Sequence, residues 1–344
     1  MILRDLNSAS PGFQNFFQPG DCFILDRGFR DVVQAMRSRG YEAHHPAFLR
    51  RELANPRNTT QLSARQANAS RKITKPRQVV ERVFGRIKMT FRMFHHVIDN
   101  KYIENSQRDL KICAAIINKY HQRFHYDRGN EDLIIQRMQE RMEKEDNLAN
   151  MVDDKNIHQH TAGWRTFDPS MGDIRPFSGD ELYVLSCGTY GPKWIDSYKT
   201  ECRNKGLESD VSVLNVILEA NSHFLLVQLI VCQDSIQYGD MFAEYGIDVD
   251  EPYFLRAKIV SRHRSSKIYQ VSVLIDTARE EVERAIDWYC KCNSGRRTIT
   301  PCQHALCVLS IVGSGFNSPA PARSLDSAFD RDEENDGESS DEEW

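Results

Sequence analysis

The spacing of hydrophobic positions changes period along the chain. Cys22 to Asp26 is a short apolar run between the turn signal Pro19-Gly20 and Arg27-Gly28, and it predicts a buried strand. A helix is expected from about Asp31 to Arg39, stopping at Gly40. Tyr41 to Leu49 is expected to return as a second strand, because His44-His45-Pro46 interrupts any helical spacing. Thr60 to Ser70 is polar with weak helical character. From Lys75 to Phe94, the residues Val80, Val83, Phe84, Ile87, Phe91 and Phe94 recur on one side at helical period, and Ile103–Phe124 and Glu131–Glu145 continue as helices.

The second half reads differently. Lys144 to Gly163 is charged, amide-rich and aperiodic, which predicts a linker or surface loop, and Asp210 to Cys232 reads as a buried helix or mixed segment. Tyr253–Arg262 and Lys267–Asp276 alternate with period two and predict two strands of a hairpin. Ala305 to Val312 is apolar enough for a short helix. The longest apolar run, Phe224 to Cys232, is interrupted by Gln228 and is about half a membrane span, so a core segment is expected and no membrane contact.

Charge is divided unevenly behind a formal net of −4. Twelve Lys or Arg stand against two acids from Arg50 to Arg92, while Asp326 to Trp344 holds ten acids and one Arg. The first stretch suits a polyphosphate partner, and the second predicts a disordered acidic tail. Arg4 and Asp5 leave no apolar run for a signal peptide, so an intracellular chain is expected. Its nine cysteines are then thiols or metal ligands, not a disulfide framework.

Trp288 to His304, WYCKCNSGRRTITPCQH, contains Cys290-x-Cys292, nine intervening residues, and Cys302-x-His304. On a strand Cys290 and Cys292 point to one side, and Asn293-Ser294-Gly295 supplies a turn after them. Three thiolates and one imidazole make a closed tetrahedral set suited to structural Zn²⁺, with no open position for catalysis. Cys307 is a competing ligand or a core residue, and four clustered buried residues without metal are the plain alternative.

This pattern, with Gly295-Arg296-Arg297 between the pairs, resembles the SWIM zinc finger over about Tyr253 to Gly313. The preceding Lys258-Ile-Val-Ser-Arg-His-Arg adds to the likeness. The resemblance implies a module that contacts DNA or a protein partner.

Asp26 ends the first predicted strand and Gly28 allows close approach, so its carboxylate could face a cleft. The bland reading is a turn or helix-capping Asp. On the following helix Arg77, Glu81, Lys88 and Arg92 share a flank of the apolar stripe. Glu81 there could ligate a metal while the cations hold phosphates, or it could pair with Arg77 or Lys88 on a solvated face. The neighbouring His44-His45 and His95-His96 point apart within each pair and are not taken as ligands.

Ile24-Leu-Asp-Arg-Gly-Phe-Arg-Asp31, Gln61-Leu-Ser-Ala-Arg-Gln-Ala-Asn68, Arg71-x-Ile-Thr74 and Arg77-Gln-Val-Val-Glu-Arg-Val-Phe-Gly-Arg-Ile-Lys88 resemble, as an ordered set, the Harbinger-like DDE superfamily endonucleases of transposons. The resemblance covers about Met1 to Tyr120. It implies an RNase H-like catalytic fold that cuts and joins DNA with Mg²⁺ or Mn²⁺, with Asp26 as the second catalytic Asp and Glu81 as the final Glu. Arg77, Arg82 and Lys88 are implied as DNA contacts. The family's first Asp lies before the position corresponding to Met1, and Asp5 and Asp21 lack its context, so an N-terminally truncated domain is expected.

The expected fold class is therefore α/β: a partial RNase H-like DDE domain with a mixed sheet and helices, then an α+β region with a small SWIM finger. The expected divisions are 1–125 endonuclease-like, 126–165 helix and linker, 166–252 mostly helical, 253–315 hairpin and finger, and 316–344 acidic tail. The expected function is a transposase-derived, nuclear, DNA-binding protein with structural zinc that does not cut DNA. An active metal-dependent endonuclease is the alternative. Arg71-Lys72 and Lys75-Pro76-Arg77 offer a nuclear import patch or a solvated basic run.

Overall fold

The structure is a computed structural model. It describes residues 17–48, 61–95, 100–120, 130–159, 164–166, 174–188, 191, 195, 227–232, 235–260 and 267–312. Their contacts divide them into two units, one of residues 17–48 and 69–120, the other of 61–68 and 130–312. Helices and two sheets make up a mixed α and β chain.

In the first unit, β1 (Cys22–Ile24) leads through a 3-10 turn into α1 (Arg30–Arg37) and returns as β2 (Glu42–His44) parallel to β1. Val33, Met36 and Ala43 are buried, with Phe23, Leu25 and Tyr41 packed on them. Gly40, at φ +84°, ends the turn after α1, and its carbonyl accepts a bond from Gly20 N–H at 2.8 Å. Asp21 is a turn residue, accepting from the Gln18 backbone at 2.8 Å.

The long helix α2 runs from Ala64 to Thr90, where the sequence predicts Lys75 to Phe94. Its start is a reciprocal cap: Ser63 Oγ accepts from Gln66 N–H and Gln66 Oε1 accepts from Ser63 N–H. The helix tolerates Pro76 inside it, and Phe91 and Phe94 fall in a following 3-10 turn. The predicted apolar stripe is mostly uncovered: Ile87 is buried, but Val80 is 56% and Phe84 51% exposed. Periodicity identified the helix correctly, yet among the described residues little packs on that stripe. α3 (Ile103–Tyr120) follows, and residues 121–124 of its predicted span lie outside the described residues.

The second unit is built on an antiparallel sheet of β3 (Trp164–Thr166), β4 (Val227–Cys232), β5 (Pro252–Val260), β6 (Ile268–Asp276) and β7 (Ala285–Cys290), in that order. The predicted hairpin is its centre, with nine residue pairs from Pro252↔Asp276 to Val260↔Ile268. The alternation sends Leu255, Ala257, Ile259, Val271, Val273 and Ile275 to one core and Phe254, Leu274 and Tyr289 to another. Helices α4 (Glu131–Met142), α6 (Gly179–Ser186) and α8 (Gln303–Ile311) supply the first core, while α5 (Asn147–Asp154) and α7 (Ser235–Glu244) supply the second.

Two expectations change here. The predicted linker Lys144–Gly163 contains α5, whose Leu148, Met151 and Val152 are buried at helical spacing, with Ile157 just beyond. The acids and amides between them hid an amphipathic face. Of Asp210–Cys232, expected as helix or mixed, residues 227–232 are strand β4 and residues 210–226 lie outside the described residues. The acidic tail also lies outside them. Among the described residues no helix is long and apolar enough to cross a membrane.

Candidate metal centre

Cys290 is the last residue of β7, and Cys302 is the N-cap of α8, so a strand end and a helix start are joined by the turn-rich segment 291–301. One ligand atom from each of Cys290, Cys292, Cys302 and His304 falls within 4.8 Å of the others. Cys290 Sγ lies 3.8 Å from His304 Nδ1. Two ligands of one tetrahedral zinc, at the usual bond lengths, stand about 3.6 Å apart.

The sequence reading placed Cys290 and Cys292 on one strand, but Cys292 lies past its end. A tight turn brings it back: Gly295 N–H donates to Cys292 O at 3.0 Å, and Cys290 N–H donates to Gly295 O at 3.2 Å. Backbone N–H groups face two of the sulfurs, Cys292 N toward Cys290 Sγ and Ala305 N toward Cys302 Sγ, each at 3.4 Å. Such donors favour thiolate, and the start of α8 adds the positive end of a helix to Cys302.

Burial alone would push the Cys302 thiol up, but hydrogen bonds with Cys290, Cys292 and His304 hold it well below the ordinary range. His304 is raised to about 10: burial opposes this, and bonds to and charge on Cys292 and Cys302 outweigh it. Burial, then the neighbouring Cys292 and Cys302, push Cys290 up. Three sulfurs and a nitrogen so close together would suit a soft divalent cation, which would displace their protons. The donor chemistry fits zinc. Cys307 is fully buried in the first core and is not part of the four-ligand group.

Sequence reasoning did not single out the groups that support this loop. Gln61 Nε2 donates to both Cys290 O and Cys292 O, at 2.6 and 2.8 Å. Asn68 Oδ1 accepts from Thr298 N and Ile299 N, while its Nδ2 donates to Thr298 Oγ1. Buried Arg141 donates to Thr298 O and Ile286 O, pairs with Asp287 at 3.2 Å and lies over Trp288. Polar residues far away in sequence leave no spacing signal.

In the first unit Asp26 is engaged twice. Its Oδ1 accepts from Arg27 N–H as a helix cap, and its Oδ2 meets Arg77 at 3.0 Å. The capping role is the bland alternative weighed from sequence. Glu81 stands four residues after Arg77 on α2, and its side chain lies outside the described residues. Arg82 is half-buried and Lys88 exposed. A further group, Cys22, Glu42 and His44, shares one exposed face of the β1–β2 pair.

Residues 2–118 match the family described as "DDE superfamily endonuclease". The matched stretch contains Asp26 and Glu81 but not the Cys3His group. No curated protein and no solved structure matches the chain.

Proposed function

We propose that this is a transposase-derived protein that binds DNA without cutting it and carries a structural zinc centre. The family match over residues 2–118 supports the descent and DNA as partner, with an RNase H-like origin for that stretch. The observation that carries the loss of cutting is the state of Asp26. A carboxylate serving two metal ions needs its oxygens open, whereas here one caps a backbone N–H and the other faces a guanidinium.

Arg77, Arg82 and Lys88 would then serve as phosphate contacts. Cys290, Cys292, Cys302 and His304 would hold Zn²⁺, which when bound cross-links the end of β7 to the start of α8. The finger is of the SWIM type in this reading, with DNA or a protein partner at its surface, and the protein works in the nucleus.

The family match also favours a second reading, an active Mg²⁺- or Mn²⁺-dependent endonuclease. The test uses the purified full chain with supercoiled plasmid and Mn²⁺, alongside metal analysis. The expected result is salt-sensitive DNA binding, about one zinc per chain, and no nicking. Nicking that disappears in Glu81→Gln would establish the second reading instead.

A further inference from the structure

We infer that the segment Gln61–Asn68 is the outer support of the metal centre, with Gln61 as its positioning residue, so that metal retention depends on this segment being docked. The inference rests on reading the Cys3His group as a metal site and goes beyond it, because the segment contributes no ligand and Gln61 lies 229 residues before Cys290.

The contacts follow the metal loop from end to end. At its beginning the Gln61 side-chain amide bridges the carbonyls of the two ligand residues Cys290 and Cys292, and its Oε1 faces Tyr289 Oη at 3.3 Å. Next, Leu62 N–H donates to Asn293 O at 3.0 Å, adding a backbone bond to the side-chain ones, and Leu62 is buried. At the far end Asn68, 2% exposed, satisfies Thr298 and Ile299 as described above and reaches Met142 O at 3.4 Å.

Cys292 sits beyond the strand that orients Cys290, so strand geometry does not fix its direction. A single amide that donates to both carbonyls fixes the two peptide planes relative to each other. This keeps both thiolates on the metal side. Partners outside the ligand shell act in this way at metal sites, and their loss commonly costs 10- to 100-fold in metal affinity, roughly. The converse follows by linkage: whatever stabilises the loop stabilises the docked segment, and with it the capped start of α2 at Ser63.

The experiment loads the full chain with zinc, confirms the stoichiometry, and follows zinc transfer to a chromogenic chelator. It compares wild type, Gln61→Met and Gln61→Glu, with Leu148→Ala as a control in the second core. Gln61→Met keeps the length but removes the donors, and Gln61→Glu turns acceptors toward the carbonyls. Both should release zinc about tenfold faster or more. Leu148→Ala should lower Tm without that change, which separates positioning from general stability. Hydrogen exchange at Leu62 should accelerate when zinc is stripped from wild type. Zinc retained equally well by both Gln61 variants, with Leu62 exchange indifferent to zinc, overturns the inference while leaving the metal site standing. Wild type that binds no zinc overturns both.

Discussion

Gly295 approaches the carbonyl of Cys290 so closely that a Cβ on it would sit 1.8 Å from the oxygen. The obstacle is backbone and belongs to a residue of the Cys3His group, so it has no rotamer by which to move aside. Gly295→Ala is therefore expected to open the turn that returns Cys292 to the cluster. The loss should be about 3 kcal/mol or more by denaturant titration, with zinc content falling below stoichiometric. Full zinc retention with unchanged stability would contradict this account of the turn.

Inside the second unit Arg141 is held by Thr298 O, Ile286 O, the Trp288 ring and the Asp287 carboxylate, which is 1% exposed. Arg141→Ala should cost about 3–5 kcal/mol, because it takes the guanidinium away from buried Asp287 and a donor from Thr298 O, while Ile286 O keeps Lys144 Nζ at 3.0 Å. Lys144 also reaches Asp287, at 3.3 Å, but is partly exposed. Lys144→Ala should therefore cost markedly less, and equal costs in urea titrations would place the pair's importance elsewhere.

One buried group, Asp146, and one half-buried group, His158, push the pH dependence of stability in opposite directions. Burial raises Asp146 from 3.8 to about 7, partly offset by Arg296. Between those values the folded state keeps a proton that the unfolded state has lost, so this group makes stability fall as pH rises. Burial, then the charges of Lys291 and Arg256, lowers His158 from 6.5 to about 3, and neither of its ring nitrogens has a hydrogen-bond partner among the described residues. Between pH 3 and 6.5 the unfolded state binds the extra proton, so this group makes stability rise with pH. Relative to wild type, Asp146→Asn should give a steeper rise and His158→Phe a shallower one, each by up to about 1.4 kcal/mol per pH unit. Parallel curves for all three proteins in denaturation at a series of pH values would refute the assignment.

DNA binding should depend on Lys88 more than on Arg77 in its sensitivity to salt. Lys88 is exposed, whereas Arg77 already faces Asp26 at 3.0 Å. Lys88→Ala should lower the slope of log K against log salt by about 0.9, the contribution of one phosphate contact, and Arg77→Ala by less. Fluorescence anisotropy across a salt series measures both slopes, and an unchanged slope for Lys88→Ala removes that residue from the interface.

The four cysteine and histidine positions were legible because they lie within fifteen residues of one another, from Cys290 to His304, and their spacing alone implies a cluster. The β5–β6 hairpin was legible for the same reason: its alternation is local, and its register follows from burial on both faces. Gln61 and Asn68 stood inside a quoted motif but carried no sign of their partners, since an amide at a helix start reads as a cap and not as a brace. The opposite failure occurred at α2. Val80 and Phe84 show clear periodicity, yet periodicity says only that a face is apolar and leaves open what lies against it. Helix α5 was hidden because Leu148, Met151 and Val152 are few among acids and amides.

The separation of 229 residues between Gln61 and Cys290 has a bearing on how the chain is made. A ribosome adding about 5–20 residues per second needs roughly 10–50 s between emitting the brace and emitting the loop it braces. The hairpin at the centre of the sheet has no such delay, since its strands are separated by a short connection and pair locally. In the proposed reading the brace is already made when α8 emerges, so the four residues of the Cys3His group can close on zinc and be braced in the same step. During that interval Gln61–Asn68 lacks the partners it has in the folded chain, and resistance of the proposed centre to chelation would begin only when the loop arrives.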